Sequence, residues 1–408
     1  MPANLTNLQG INLWTGEDGS PVTTYKIDSH RRDIDIAKDI AYLVPSPSPF
    51  LTILSRARKD PIDSFMDIWY DQGAPVWFTQ INNGAGYADN ATEMVVDDAS
   101  FIKPKDILKV TRTGELLFVS EVAKTTNTLT VVRGYGYDSN TGTGTQAAAI
   151  NDDDYLMRMG NAMEENSLSP ETHATQPDKF FNVVQTLRTP FDSSMDNELE
   201  AKKAGPRTRV RLRREKLWEH MIDIEKTGIF GERREDTNEN RRLTGGVLFY
   251  INSNAYDVET SNGGVLTEAE LEKVTEQAFK YKSTRGDTKI AVCSYKVAGI
   301  INQLAAQRID TTSGDELYGL RLKRYRSYNG DLVIIPTRLF EHDYESMMMI
   351  LDVENISYRP LSGYDSKLRA NIQENDRDGW KDEYMTKFSI RVRNDKTHMV
   401  VTGIDTAS

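Results

Sequence analysis

The strongest constraint in this sequence is a single long helix predicted from Pro206 to Thr227. Pro206 suits the first helical position, where its missing N–H costs nothing, and Gly228 suits the residue just past the end. Val210, Leu217, Met221 and Ile224 recur at spacings of seven, four and three, so they share one face. At 1.5 Å per residue the helix would be ~33 Å long. An element of that length is long enough to act as a spine across a domain.

Length and composition indicate a multi-unit chain. The 408 residues are 38% hydrophobic and 27% charged, enough for two or three packed units and incompatible with full disorder. The net charge of -11, from 61 acidic and 50 basic residues, argues against a chain that coats nucleic acid with its whole surface and confines any such contact to a local basic face. Cys293 is the only cysteine, so there is no intrachain disulfide and no cysteine zinc site, as expected of a protein made in a reducing cytosol. The N-terminus, Met1-Pro2-Ala3-Asn4-Leu5, has no charged region followed by an apolar one, and no apolar run approaches the ~20 residues of a membrane span. Secretion and membrane partners are not expected.

Residues 1 to about 60 are polar and punctuated, from Glu17-Asp18-Gly19 to the Pro45–Pro49 stretch, with one short helical candidate around Ile34 to Leu43. This reads as an arm that must lie on another surface, with a disordered tail as the alternative. From about 66 the composition turns aromatic and β-branched, at Met66–Tyr70 and Pro75–Thr79. A denser block follows: strands at Asp106–Val110, Leu116–Val119 and Leu129–Val132, separated by Thr113-Gly114 and Thr126-Asn127 turns, predict a small meander or barrel. A Gly/Thr/Ser-rich loop runs from Gly134 to Gly144, and the strand signal resumes at Phe180–Val184.

Beyond the long helix, Thr267 and Glu270 form a capping box, with Leu266 and Leu271 as the hydrophobic staple. Leu271, Val274, Ala278 and Tyr281 make that helix's buried stripe. A strand at Lys289–Val292 leads to a helix capped by Ser294 with Val297, Ile300, Ile301 and Leu304 inward, an α+β signature. Asn329-Gly330 supplies the positive φ angles of a tight hairpin turn into Leu332–Pro336. Strands at Met347–Val353 and a final pair, Phe388–Arg393 and His398–Ile404, end the pattern. No repeat of 20 to 50 residues is visible, which argues against solenoids and propellers.

Catalytic signatures are not found. The histidines at 30, 173, 220, 342 and 398 show no ligand spacing, there is no G-x-S-x-G elbow, and the glycine-rich loop lacks the G-K-[ST] of a phosphate cradle. Asp152-Asp153-Asp154 lacks the alternation of a calcium loop and reads as a solvated acidic turn. The chain is therefore expected to be no enzyme and to need no metal or cofactor.

One cluster stands out. Lys202, Lys203, Arg207, Arg209, Arg211, Arg213, Arg214 and Lys216 face one acid, Glu215, a local balance of +7. Arg207, Arg211 and Arg214 flank one side of the apolar stripe; Arg209, Arg213 and Lys216 flank the other. Two readings stay open: ion pairs with carboxylates of neighbouring elements or subunits, or sequence-independent contact with nucleic-acid phosphates.

The order of arm, long β excursion, one spine helix, helix-strand-helix core and closing strands resembles the major capsid proteins of tailed bacteriophages, the Hong Kong 97-like fold. Local motifs point to a branch whose extended loop carries a β-rich insert: Val95–Phe101, Asp106-Ile107-Leu108, Asn127–Gly134, Asp223–Gly231 with Leu243–Gly246, Leu351-Asp352-Val353 and Val392–His398. The likeness covers about 60 to 404. Two places depart from it, Glu165-Asn166-Ser167 after the insert and Asn375–Asp378 before the final strands, which bears on local loops.

The resemblance implies an α+β subunit with an arm at 1–60, an extended loop at 61–92 and 160–192, an inserted β domain at 93–159, a spine helix and peripheral domain at 193–260, an axial domain at 261–355 and a return at 356–408. It implies self-assembly into hexamers and pentamers of an icosahedral shell around double-stranded DNA, in a virion assembled in the bacterial host cytoplasm. A portal protein is an implied partner, with decoration and scaffolding proteins as further candidates; a separate scaffold is favoured because no N-terminal coiled-coil segment is present. An encapsulin-like nanocompartment is the same-fold alternative. An enzyme or nucleic-acid-binding protein using the Arg-rich helix is the alternative of a different class.

Overall fold

The computed structural model describes residues 49–57, 59–136, 147–168, 176–200, 208–283, 287–304, 309–310, 316–317, 320–321 and 323–407. The predicted helix at Ile34–Leu43, most of the arm and the centre of the glycine-rich loop lie outside them. The chain divides into two compact units, one of Met66–Asn182 with Val392–Lys396 and one of Met1–Phe65, Val183–Arg391 and Thr397–Ser408.

The first unit is all β. Its strands are β1 Met66–Asp71, β2 Phe78–Gln80, β3 Glu93–Val95, β4 Asp106–Val110, β5 Leu116–Ala123, β6 Thr128–Val132, β7 Tyr155–Asn161 and β8 Asp178–Val183. β1 and β8 form a ribbon, and the other strands form one antiparallel sheet in the order β2-β7-β4-β5-β6-β3. A bridge between Ile81 and Val96 joins the ends of the two edge strands, so the sheet curls towards closure. Period-2 alternation sends Leu108, Val110, Leu117, Val119, Leu129, Val131 and Leu156 inward, all at most 2% exposed. Asn127 takes the left-handed conformation at the β5–β6 turn, and its amide donates to Asp97 O at 2.9 Å while its carbonyl accepts from Ala99 N–H at 3.3 Å.

Two charged features of this unit differ from the sequence reading. The acidic turn is not wholly solvated: Asp154 is buried against Arg112, with Nη2 to Oδ2 at 2.7 Å, while Asp152 stays exposed. The Arg112 guanidinium holds the Asp154 carboxyl below the usual range, more than offsetting its burial. At the glycine-rich loop, buried Glu115 accepts from Arg133 Nε at 2.7 Å, Gly134 N–H at 3.0 Å and Ala148 N–H at 3.2 Å. One carboxylate thus pins both ends of the loop.

The second unit contains α1 Pro49–Ala57, β9 Gln185–Ser194, α2 Thr208–Phe230, β10 Ala255–Asp257, α3 Glu268–Phe279, β11 Thr288–Cys293, α4 Tyr295–Leu304, β12 Lys323–Arg326, β13 Asp331–Pro336, β14 Met348–Leu351, β15 Ile356–Pro360, β16 Lys367–Arg369, β17 Gly379–Val392 and β18 Met399–Thr402, with shorter pieces between. A mixed sheet runs β10-β18-β14-β11-β13-β12 and ends on Ile309–Asp310. β10 pairs with β18, and β11 with β13, in parallel; the other neighbours are antiparallel. Leu271, Val274 and Ala278 of α3 and Val297, Ile300 and Ile301 of α4 share one core with Ala291, Met348 and Val401 of the sheet.

The caps formed locally, with one change. Thr267 Oγ1 accepts from Glu270 N–H at 3.1 Å and Ser294 Oγ from Val297 N–H at 3.0 Å. The Glu270 side chain, expected to reach back and complete a capping box, instead accepts from the Tyr256 hydroxyl and from Ser261 Oγ at 3.1 Å and Lys273 Nζ at 2.7 Å. Stronger side-chain donors outcompete a backbone N–H. The β12–β13 hairpin is present, but only Gly330 of the Asn-Gly pair has positive φ (158°), and a Cβ there would lie 2.4 Å from the Phe279 ring. Close approach of the ring, in addition to the turn, demands glycine at 330.

A second sheet is built on β17, flanked by β15 and β16 and paired over ten residues with β9, from Gly379↔Ser194 to Phe388↔Gln185. β17 and β18, expected as a closing pair, lie in different sheets, β18 being held between β10 and β14.

The spine helix also departs from expectation. α2 runs through Gly228 to Phe230, so that glycine does not terminate it; a Cβ at 228 would come within 2.8 Å of Ile390 Cδ1, and its absence lets helix and strand touch. Val210, placed on the buried stripe by periodicity, is 58% exposed, whereas Ile224 is 1%. Leu217, on the predicted stripe, packs on Phe191, Trp380 and Tyr384 as expected, joined by Leu212, which the stripe did not include; at Val210 the helix meets the sheet through the polar heads of its neighbours instead.

Candidate functional site

The basic cluster divides in the structure according to where each cation points. Lys202, Lys203 and Arg207 lie outside the described residues. Arg209 and Arg213, four apart on one helical face, converge on Asp382 of β17. Arg209 grips it bidentately, Nε to Oδ2 at 3.0 Å and Nη2 to Oδ1 at 2.7 Å, donates to Asn371 Oδ1 at 2.6 Å, and lies 5.0 Å above the Trp380 ring. Arg213 adds Nε and Nη2 to Oδ2 at 3.0 and 2.8 Å. Asp382 is fully buried. Burial pushes its carboxyl up, but Arg209, the Asn371 N–H at 2.9 Å and Arg213 together hold it below the usual range. The next residue, Glu383, takes Arg369 at 2.7 Å and Arg188 at 3.3 Å.

The remaining cations stay on the solvent side. Arg211 sits 3.9 Å from Glu215, Lys216 pairs with Glu219 at 2.6 Å, and Arg214 is exposed. Such exposed pairs contribute little to stability, roughly 0–1 kcal/mol each, which leaves these heads available to another macromolecule.

Two buried titratable groups lie along the same helix. His220 Nδ1 is 2.8 Å from Thr189 Oγ1 and Nε2 2.6 Å from Thr386 Oγ1; burial lowers its pKa, so it acts as a neutral bridge between two strands. Glu225, 1% exposed, accepts from Leu51 N–H at 3.2 Å at the start of α1, and its Oε1 has no hydrogen-bond partner among the described residues. Burial pushes its carboxyl up to about 7. Because its folded pKa lies above the ordinary value, the native state holds the proton that the unfolded chain releases. Stability therefore falls as pH rises through the interval from about 4.5 to 7, by about 3 kcal/mol for a shift of that size. The variant Glu225→Gln keeps an acceptor for Leu51 without the charge; the fall that Glu225 contributes over that interval should be missing from its pH profile relative to the unmodified chain, measured by urea unfolding at stepped pH. An unchanged pH slope would refute this account of the helix anchor.

The sequence reading missed Asp382, Glu383 and Glu225; His220, expected to be no ligand, is a packing residue that bridges two strands. The usable signal was an acidic pair, Asp382-Glu383, set between aromatics Trp380 and Tyr384 in a strand that otherwise reads as buried. Among the described residues no group of three His, Cys, Asp or Glu side chains could hold a metal ion, and no helix is long and apolar enough to cross a membrane.

A family model described as SU10 major capsid protein matches residues 16–405. No curated protein sequence matches the chain. Similar solved structures include the capsid of a native GTA particle (11% identity, 96% of this chain and 100% of that one, TM-score 0.48). A chain of Mycobacterium phage Adephagia gives 9% identity, 95% and 99% coverage and a TM-score of 0.47. The SrpI encapsulin of Synechococcus elongatus PCC 7942 gives 12% identity, 57% and 77% coverage and a TM-score of 0.40.

Proposed function

Because the chain belongs to the SU10 major capsid protein family, we propose that it closes a phage head as hexamers and pentamers around double-stranded DNA. It is a virion structural protein of the Hong Kong 97-like α+β class that self-associates into a multimeric icosahedral shell. The carrying observation is a family match over nearly the whole chain. That match is to a phage capsid family, which favours this reading over a cargo-holding nanocompartment.

In this reading the subunit is not an enzyme, and assembly takes place in the host cytoplasm with a portal at one vertex and, where present, scaffolding and decoration proteins. Residues 1–60 serve as an arm, 61–92 and 160–192 as an extended loop carrying the β insert at 93–159, 193–260 and 356–408 as the peripheral domain, and 261–355 as the axial domain. Many modest contacts then sum by avidity, which suits a chain that has no disulfide staple.

Arg211, Arg214 and Lys216 are the described cations offered to a neighbouring subunit or to DNA phosphates, on a helix that Arg209 and Arg213 anchor through the Asp382 clamp; Lys202, Lys203 and Arg207, outside the described residues, are proposed for the same role on sequence alone. The test is electron microscopy and nuclease protection on particles from the intact chain and from an Arg211→Glu/Arg214→Glu variant. Closed shells with protected DNA are expected for the first. Fewer shells or less protected DNA are expected for the second, and full DNA content at normal yield would remove the cluster from both roles.

A further inference from the structure

We propose that Asn329 is a site of spontaneous covalent modification, its side-chain amide being lost by ring closure onto the nitrogen of Gly330 with the assistance of Lys282. The chain has three Asn-Gly pairs, beginning at Asn83, Asn262 and Asn329. Glycine, having no Cβ, least hinders attack by its own nitrogen on the preceding side chain. The structure separates the three pairs. Asn83 is held at both ends of its carboxamide, Oδ1 accepting from Ala85 N–H at 3.2 Å and Nδ2 donating to Gly86 O at 2.9 Å. Asn262 donates through Nδ2 to Val265 O at 2.8 Å, and the Gly263 nitrogen that would attack it is committed to Glu259 O at 2.9 Å, at the end of the short helix Val258–Asn262. The Asn329 carboxamide makes no hydrogen bond among the described residues, and Gly330 N–H reaches Ser327 O only at 3.3 Å. Packing keeps this labile pair in place, because a Cβ at 330 would lie 2.4 Å from the Phe279 ring.

Lys282 supplies the chemical assistance. Its Nζ donates to Asn329 O at 2.9 Å, the carbonyl oxygen of the very peptide whose nitrogen attacks. When that nitrogen gives its proton to solvent hydroxide, amide resonance places the negative charge on this oxygen, and an ammonium already bonded there stabilises it. The Gly330 nitrogen then bonds to Asn329 Cγ, and Nδ2 leaves as ammonia after taking a proton from water. A second water opens the five-membered imide at one carbonyl or the other, leaving aspartate or isoaspartate; nothing is oxidised or reduced. Solvent has access, since Asn329 lines a cavity of about 750 Å³ with Lys273, Lys280 and Lys282. The new carboxylate therefore forms among ammonium groups, which favours the product electrostatically. Isoaspartate also lengthens the β12–β13 turn by one methylene, directly where Phe279 packs on Gly330. The chemistry is the same in a free subunit and in a shell.

The test is timed incubation of the intact folded chain at mildly alkaline pH, with peptide mapping by mass spectrometry to follow replacement of ammonia by water at all three asparagines. The same incubation in urea gives the rates without the fold. Folded, Asn329 is expected to convert at least about tenfold faster than Asn83 or Asn262, whose hydrogen bonds must first open; in urea the three rates should converge. Lys282→Met should slow Asn329 about tenfold in the folded chain, the worth of one charge-assisted hydrogen bond, and leave the rate in urea unchanged. Lys282→Arg, which keeps a cationic donor, should retain most of the folded rate. Lys282 is 38% exposed, and an unfolding transition matching the unmodified chain's shows that each variant is folded. Conversion at Asn83 or Asn262 as fast as at Asn329 in the folded chain overturns the proposal. So does a folded Lys282→Met chain that converts at the unmodified rate.

Discussion

Replacing Arg209 and Arg213 together with methionine is expected to lower stability by about 3–5 kcal/mol, the range for leaving a buried charge without its partner. Asp382 would keep only the Asn371 N–H, while the apolar stems could still cover Trp380. Each single replacement should cost far less than half, because the remaining guanidinium still reaches Oδ2, so the two effects are strongly non-additive. Asp382→Asn should be milder than the double variant, since side chains 27% and 34% exposed can turn their heads to water. The clamp also sets a pH dependence. The folded Asp382 carboxyl lies below its unfolded value, so its contribution is complete above the ordinary carboxylate range and is lost as pH falls through the depressed value. Urea unfolding monitored at the Trp380 environment checks both; a double-variant loss under 1 kcal/mol would show that the arginines are not what fixes the spine helix to β17.

The second large effect is expected at Lys289. Its ammonium is fully buried and donates to the carbonyls of Ala278 at 2.6 Å, Tyr281 at 3.0 Å and Thr397 at 2.6 Å, with the Phe279 ring 5.4 Å away. It joins the C-terminal end of α3 to the turn before β18. Lys289→Met preserves much of the volume but orphans three acceptors, each worth about 1–3 kcal/mol when buried, against which stands relief from burying a cation. A net loss of about 3 kcal/mol is expected near neutral pH. Burial lowers the folded pKa to about 8 from 10.5, so the unfolded chain binds the extra proton between these values and the native protein gains stability as pH rises through them. The methionine variant should lack that rise. Thermal unfolding at stepped pH decides it, and a parallel pH profile in the two proteins would mean that Lys289 does not titrate as described.

What was legible in the sequence was local. The strands at Asp106–Val110 and Leu129–Val132 appeared where period-2 alternation placed them, and α3 and α4 began at Thr267 and Ser294 because a hydroxyl cap acts within three residues. The buried face of α2 was legible at Leu217 and Ile224 but not in its first turns, because periodicity counts apolar side chains and this helix docks there through Arg209 and Arg213. Gly228 was read as a stop for a similar reason: the requirement for a missing Cβ comes from Ile390, which is 162 residues away in the chain.

The candidate site followed the same division. Clustering of eight cations is visible in one dimension, but which of them are free to bind depends on a carboxylate 173 residues downstream. Sequence by itself determined the α+β class, the β-rich block after residue 93, the long helix and the family resemblance, since all of these arise from short-range pattern and from element order. Only the tertiary structure decided that two of the arginines are tied to a buried aspartate and that Glu225 and Lys289 are buried across element boundaries. Those properties belong to pairs of distant segments, and burial and Coulomb energy depend on separation in space, which spacing along the chain does not encode.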